Sequence, residues 1–241
     1  MSIKHVTLLH GWGTHPVIWD PLLEKLPGAH ALPLPGYAGS PAAFTLEEMA
    51  ERLGEQLEKG TLLVGWSLGG LVAARIALRF PQRVRGLVLI AATPCFVNRP
   101  DWAHGIEAEV FEQFAAGLQD DYAGTIRRFL SLQAQGSSET REVLAQLRRR
   151  LLDQPRPAEG VLEAGLEMLK HTDLREGLKS LDLPLTLIHG AGDKLAPLSA
   201  AHWLAGNQPN ASLHVVQGAG HAPFLSHAGQ VSEMIEGAAH G

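Results

Sequence analysis

The sequence predicts an α/β fold: a mostly parallel β-sheet with helices on both faces, and a helical cap inserted between two of its strands. Three observations predict it. Short, continuously apolar, β-rich runs alternate with longer amphipathic stretches, as expected of strands buried on both faces by crossover helices. Residues 94–183 hold no convincing strand, yet carry several apolar repeats at helical spacing. The chain has 241 residues, 45% hydrophobic and 19% charged, enough for one domain with a sizeable core and an insertion.

The elements follow in order. Residues 6–10 read as a strand and 17–26 as a helix; 30–34 make a weak strand, ended by Pro35 and Gly36. Thr45 and Glu48 form a capping box ahead of Leu46, Met49, Ala50, Leu53 and Leu57, which recur on one helical face. A strand at 61–66 runs into an Ala- and Leu-rich helix at 68–80, stopped by Pro81, and 84–91 is a further strong strand. The insertion then shows four helical patterns. They are Val110, Phe111, Phe114 and Leu118; Ile126, Phe129, Leu130 and Leu132; Val143, Leu144, Leu147 and Leu151; and Leu162, Leu166 and Leu169. A structureless stretch of that length would be out of place in a compact domain. The sheet resumes with strands at 185–190 and 212–216 and helices near 197–204 and 223–239. The expected division is a core of residues 1–93 and 184–241 with a cap at 94–183.

Composition excludes several classes. A net charge of −5 gives no whole-protein footprint for nucleic acid. The apolar run after the N-terminus is broken by His10 and Gly11, too short for a signal peptide or a membrane span. A single cysteine, Cys95, rules out an intramolecular disulfide and fits a reducing compartment. A soluble, cytoplasmic monomer is expected. No metal or cofactor is expected either. The sequence has no His-Glu-x-x-His, no paired Cys-x-x-Cys, no P-loop and no Gly-x-Gly-x-x-Gly after the first strand.

The chemistry is concentrated in loops after strands. Gly65-Trp66-Ser67-Leu68-Gly69 matches Gly-x-Ser-x-Gly. The pattern alone is weak, but here it follows an apolar strand and opens a helix, the context of a nucleophile elbow. Ser67 is the candidate nucleophile, with glycines where neighbouring backbones must approach closely. The backbone N–H of Leu68, at the helix start, is one expected oxyanion donor. The N–H of Trp12, in the loop His10-Gly11-Trp12-Gly13, is the other, with His10 in a supporting role. The base should come from a loop late in the chain. Among 12 histidines, His221 in Gly218-Ala-Gly-His-Ala-Pro-Phe lies directly after the last strand and before the last helix. Asp193, after the preceding strand, is the orienting acid; Asp173 and Asp182 precede that strand and would sit at its wrong end. Trp12, Trp66, Phe129 and Phe224 suggest an apolar acyl pocket.

With these residues assigned, the chain resembles the α/β-hydrolase superfamily over essentially its whole length. His10-Gly-Trp-Gly, Gly65-Trp-Ser-Leu-Gly-Gly-Leu-Val, Pro94-Cys-Phe, Arg128-Phe-Leu-Ser-Leu-Gln and His221-Ala-Pro-Phe together resemble one branch, the BioH-type pimeloyl-[acyl-carrier protein] methyl ester esterases. The resemblance implies hydrolysis of that methyl ester through a Ser-His-Asp triad and an acyl-enzyme. It also implies that Trp12 and the run Phe129, Leu130, Ser131, Leu132, Gln133 bind substrate, and that Arg128 and Arg141 contact the carrier protein. This chain departs from the family in beginning almost at the first parallel strand, so antiparallel N-terminal strands are expected to be absent and the sheet to have six strands. Ala31-Leu-Pro-Leu-Pro stands where an acidic residue is usual, and Gly124 replaces a cap arginine.

Charge bears on the same partner. Residues 127–156 carry seven arginines against Glu139, Glu142 and Asp153, a net of about four positive charges on an acidic protein. Carrier proteins are acidic, so such a face could steer one in. A solvated helix face with arginines paired to nearby acids would read the same, and both readings stay open. Rival functions are a general short-chain carboxylesterase, a lactonase or a carbon–carbon bond hydrolase. A non-catalytic ligand receptor is the rival of a different class.

Overall fold

The computed structural model describes residues 5–240. Among these, six strands form one sheet: β1 (Val6–Leu9), β2 (Ala29–Leu32), β3 (Thr61–Trp66), β4 (Val84–Ile90), β5 (Leu185–Gly190) and β6 (Ala211–Val216). Their order is β2-β1-β3-β4-β5-β6 and every neighbouring pair is parallel. All residues of β1, β3 and β5 are buried, as continuous apolar strands in a doubly covered sheet should be, whereas β2 and β6 are half-exposed edges. The chain steps outward from β1 to β2 and then back across to β3. That reversal opens a crevice beyond the carboxyl ends of β1 and β3, where ligands of open α/β sheets bind.

The helices are α1 (Asp20–Leu23), α2 (Leu46–Gln56), α3 (Leu68–Arg79), α4 (Ala108–Asp120), α5 (Tyr122–Ala134), α6 (Thr140–Leu151), α7 (Val161–His171), α8 (Arg175–Lys179), α9 (Leu198–Asn207), α10 (Pro223–Ser226) and α11 (Ala228–His240). The expected capping box forms: Thr45 Oγ1 accepts the Glu48 N–H at 3.2 Å, while Glu48 reaches back to the Phe44 N–H at 2.9 Å. Helix α3 packs on β3 and β4 and against α2, and α11 covers β4 and β5. Between β4 and β5, α4 packs with α5 and α7, and α5 with α6; α7 and α8 rest on α3.

Two predicted helices are divided in the structure. The stretch at 17–26 is a 3-10 turn, Pro16–Trp19, followed by the single turn of α1. Pro21 has no N–H to continue an α-helical ladder through it, and the Asp20 N–H already turns tightly onto Val17 O. The last helix breaks at His227, whose φ of −130° and ψ of 46° lie outside the helical region. Helix α8, not expected from the sequence, begins at Arg175, whose guanidinium pairs with Asp173 at 2.7 Å and Asp101 at 2.9 Å.

Candidate active site

Ser67 occupies the turn between β3 and α3 with φ 54° and ψ −120°, a left-handed conformation that costs a non-glycine residue free energy. Surrounding backbone holds it there. Its N–H donates to Ile90 O at 3.1 Å and its carbonyl accepts the Gly70 N–H at 2.9 Å. A β-carbon at Gly69 would overlap the carbonyls of Leu9 and His10, so only glycine lets α3 start this close to β1. Leu68 is the first residue of α3, so its N–H has no acceptor within the helix and lies at the positive end of the dipole.

The loop after β1 is braced by His10. Its Nδ1 lies 2.9 Å from Gly11 O and its Nε2 3.1 Å from the Leu34 N. These partners select the tautomer in which Nδ1 donates and Nε2 accepts. Burial lowers the His10 pKa to about 3, against the opposing hydrogen bond to Gly11. Burial likewise lowers His189. Unfolded, each ring takes a proton below about pH 6.5, while the folded protein keeps it neutral, so the stabilisation is complete above that pH and is lost as pH falls toward the folded value. Urea unfolding between pH 7 and 5 should show stability falling with acid. In His10→Asn the slope should drop by about 1.4 kcal/mol per pH unit toward pH 5; an unaltered slope would mean that His10 does not carry this pH dependence.

Asp193 and His221 are brought into direct contact at the carboxyl edge of the sheet. His221 Nδ1 lies 2.8 Å from Asp193 Oδ2 and 3.0 Å from Oδ1. Oδ1 also accepts the N–H groups of Leu195 at 2.8 Å and Ala196 at 3.0 Å. Burial alone would raise the Asp193 pKa, but the neighbouring His221, His189 3.5 Å away and the backbone donor at Ala196 outweigh it and hold the carboxyl below its ordinary value. His189, in turn, is 2.7 Å from Ala196 O and so fastens the loop that wraps the carboxylate.

Ser67 and His221 line one small cavity of about 30 Å³ with Phe96, Ile106, Phe111, Phe129, Leu169 and Leu195. Ser67 thus reaches the same wall as the ring, although among the described residues no hydrogen bond joins the two as one joins Asp193 to His221. Trp66, beside the serine, donates its indole N–H to His221 O at 2.8 Å. With Trp19 and Phe224 it forms a buried aromatic support beneath the histidine, ring centroids 4.4 to 6.3 Å apart. Trp66 and Phe224 therefore underlie the base loop and do not line this cavity.

The remaining expected residues fall in different places. Trp12 is fully buried, its indole N–H donating to Leu162 O of α7 at 2.7 Å and its ring set edge-on to Phe129, centroids 4.6 Å apart. Of the run after Arg128, only Phe129 borders the cavity. Leu130 and Gln133 are buried, Ser131 and Leu132 partly so, and Ser131 Oγ donates to Arg127 O at 2.9 Å. Phe111 and Leu169 were legible as helix-core positions, whereas Ile106 and Leu195 lie in loops with no periodic signal. Arg128 and Arg141 are exposed, and the Arg128 guanidinium stands over the Phe114 ring at 5.7 Å. Among the described residues, Arg127, Arg128, Arg141, Arg148 and Arg149 have no carboxylate within ion-pair distance, while Arg150 lies 3.8 Å from Asp20. Also among the described residues, no cluster of three or more His, Cys, Asp or Glu could hold a metal ion, and no helix is long and apolar enough to cross a membrane.

A strained serine sharing an apolar cavity with a carboxylate-bonded histidine suits acyl transfer, and on this parallel sheet it makes the protein a serine carboxylic ester hydrolase. The alpha/beta hydrolase family matches residues 8–234, and the chain belongs to that family. Several relatives carry the name pimeloyl-[acyl-carrier protein] methyl ester esterase. That of Nitrosomonas europaea is 42% identical over 226 residues, covering 92% of this chain and 90% of the relative. That of Aromatoleum aromaticum is 43% identical over the whole of both chains. Among solved structures, an esterase from Exiguobacterium antarcticum superposes with a TM-score of 0.86 at 22% identity, covering 99% of this chain and 92% of that one. The enol-lactonase from Burkholderia xenovorans LB400 gives 0.81 at 18%, covering 99% and 92%. At such identities these two establish the fold alone.

Proposed function

We propose that this protein hydrolyses the methyl ester of a pimeloyl chain carried on acyl-carrier protein, in the cytoplasm, through a Ser67–His221–Asp193 triad. The observation that carries the substrate is the full-length likeness to relatives of that name. The chemistry rests on the geometry around Ser67. Its Oγ attacks the ester carbonyl as His221 Nε2 takes the proton, and the N–H groups of Trp12 and Leu68 hold the oxyanion. Methanol leaves with the proton returned by the imidazolium. Water, deprotonated by the same ring, then attacks the acyl-enzyme and frees the acid.

We take residues 94–183 as a cap on a core of 1–93 and 184–241. A cavity of about 30 Å³ holds little more than a water molecule, so Phe111, Phe129 and Leu169 of the cap separate when the acyl chain enters. The carrier docks on α5 and α6, where Arg128 and Arg141 stand without acidic partners.

The test is incubation of pimeloyl-carrier-protein methyl ester with wild type and with Ser67→Ala, read by intact mass. Loss of the methyl group with wild type alone supports the proposal. No turnover there, beside rapid cleavage of short-chain esters, would leave a general carboxylesterase. The docking face has its own test. Arg128→Glu with Arg141→Glu should lower kcat/KM on the carrier-bound ester by about 10-fold or more at low salt, with no comparable loss on p-nitrophenyl acetate. Equal losses on both substrates would mean that the arginines do not contact the carrier.

A further inference from the structure

The turn between α5 and α6 is packed, backbone on backbone, against the two loops that carry Asp193 and His221. Gly136, at φ 80°, and Gly192 meet face to face, and a β-carbon on either would overlap the carbonyl of the other. A β-carbon at Gly220, next to His221, would overlap Gln135 O, and one at Gly190 would overlap Gly220 O. Hydrogen bonds bind the same three segments. The Ser138 N–H and Oγ–H donate to Gly218 O at 2.8 and 3.1 Å, and the Gly192 N–H donates to Ala219 O at 2.9 Å.

We propose that Gly136 and Gly192 are positioning residues for the Asp193–His221 pair. The proposal rests on reading these two as orienting acid and base. The base loop is held from one side by the Trp66 indole on His221 O and from the other by the α5–α6 turn. With no side chain between the stacked backbones, the approach of Gly136 to Gly192 sets the depth of the acid loop. The approach of Gln135 to Gly220 sets that of the base loop. Together they fix the Nδ1–carboxylate hydrogen bond and the distance of the ring from Ser67. The end of α5 therefore moves with the base, and the cavity opens from the side of Phe111 and Leu169.

Gly192→Ala is the direct test, because Gly192 is not at positive φ and the three atoms nearest its methyl group would all belong to Gly136. On p-nitrophenyl acetate kcat should fall about 10- to 100-fold with KM within about two-fold, the cost of a small misplacement of reacting groups. The downfield proton resonance of His221 Nδ1–H should shift or broaden. Gly206→Ala, where a methyl group meets nothing within 4 Å, should match wild type in both. If Gly192→Ala does not fold, Ser138→Ala decides: it deletes one hydrogen bond to Gly218 and should lower kcat about three-fold at constant KM. A folded Gly192→Ala with kcat within about two-fold of wild type and the resonance unmoved overturns the proposal, as does an unaltered Ser138→Ala. A resonance lost in Asp193→Asn but intact in Gly192→Ala overturns this positioning role alone. Full activity in Asp193→Asn overturns the acid–base assignment as well.

Discussion

Ser67→Ala is expected to lower kcat on a carboxylic ester by about 10⁶-fold, the loss seen when other serine triads lose their nucleophile. The reason is local. His221 has no other hydroxyl at the cavity wall to deprotonate, since the rest of the lining is carbon-rich side chains. Folding should be untouched, because alanine fits the φ of 54° no better and no worse than serine. Ser67→Gly separates the two effects further. Glycine adopts that conformation freely, so this variant should be as inactive as Ser67→Ala yet more stable than wild type by about 1 kcal/mol. Urea unfolding beside steady-state assays of the three proteins measures both. Residual turnover in Ser67→Ala within about 10²-fold of wild type would mean that another residue attacks the ester.

Asp193→Asn should cost about 10⁴-fold in kcat. The carboxylate has divided duties: Oδ1 accepts two backbone N–H groups while both oxygens face His221 Nδ1. An asparagine keeps its carbonyl toward Leu195 and Ala196 and so turns its NH₂ toward the imidazole. Nδ1 must then accept, the proton moves to Nε2, and the ring can no longer take one from Ser67. Raising the pH should not restore activity, since the fault is the tautomer and not the charge. Measurement of kcat from pH 6 to 9 would show it, and a variant retaining a tenth of wild-type turnover would argue that the acid merely packs against the ring.

The places of these residues were largely visible in the sequence because each depends on short-range pattern. Gly65, Ser67 and Gly69 fix a strand-to-helix turn within five residues, and Asp193 and His221 follow recognisable apolar strands. The order of the strands then brings them to one edge. Where side chains reach across the fold, the sequence was silent. Trp66 read as a pocket aromatic, yet its indole N–H is spent on a carbonyl 155 positions later. The contact of Gly136 with Gly192 leaves no periodic trace, since a glycine chosen for close approach looks like any turn glycine. The division of the helix at 17–26 was legible in principle, because Pro21 forbids the ladder through it, but the apolar spacing of Ile18, Leu22 and Leu23 masked it.

The arrangement of the sheet also bears on how the chain acquires its structure. β4 pairs with β5 from Leu87 to Leu185 onward, so the last two strands of the sheet join only after the whole intervening helical segment has been made. Loop closure over that length adds little to the equilibrium cost, about 0.6 kcal/mol per doubling, but contacts so distant in sequence slow the search for them. β1 to β4, with Ser67 in place, can assemble as one parallel unit during synthesis, while β5 and β6 bring Asp193 and His221 last. Refolding followed by far-ultraviolet circular dichroism, tryptophan fluorescence and ester hydrolysis should therefore show helix and strand signal returning first, with the fluorescence of Trp66, whose indole meets His221 O, returning together with turnover.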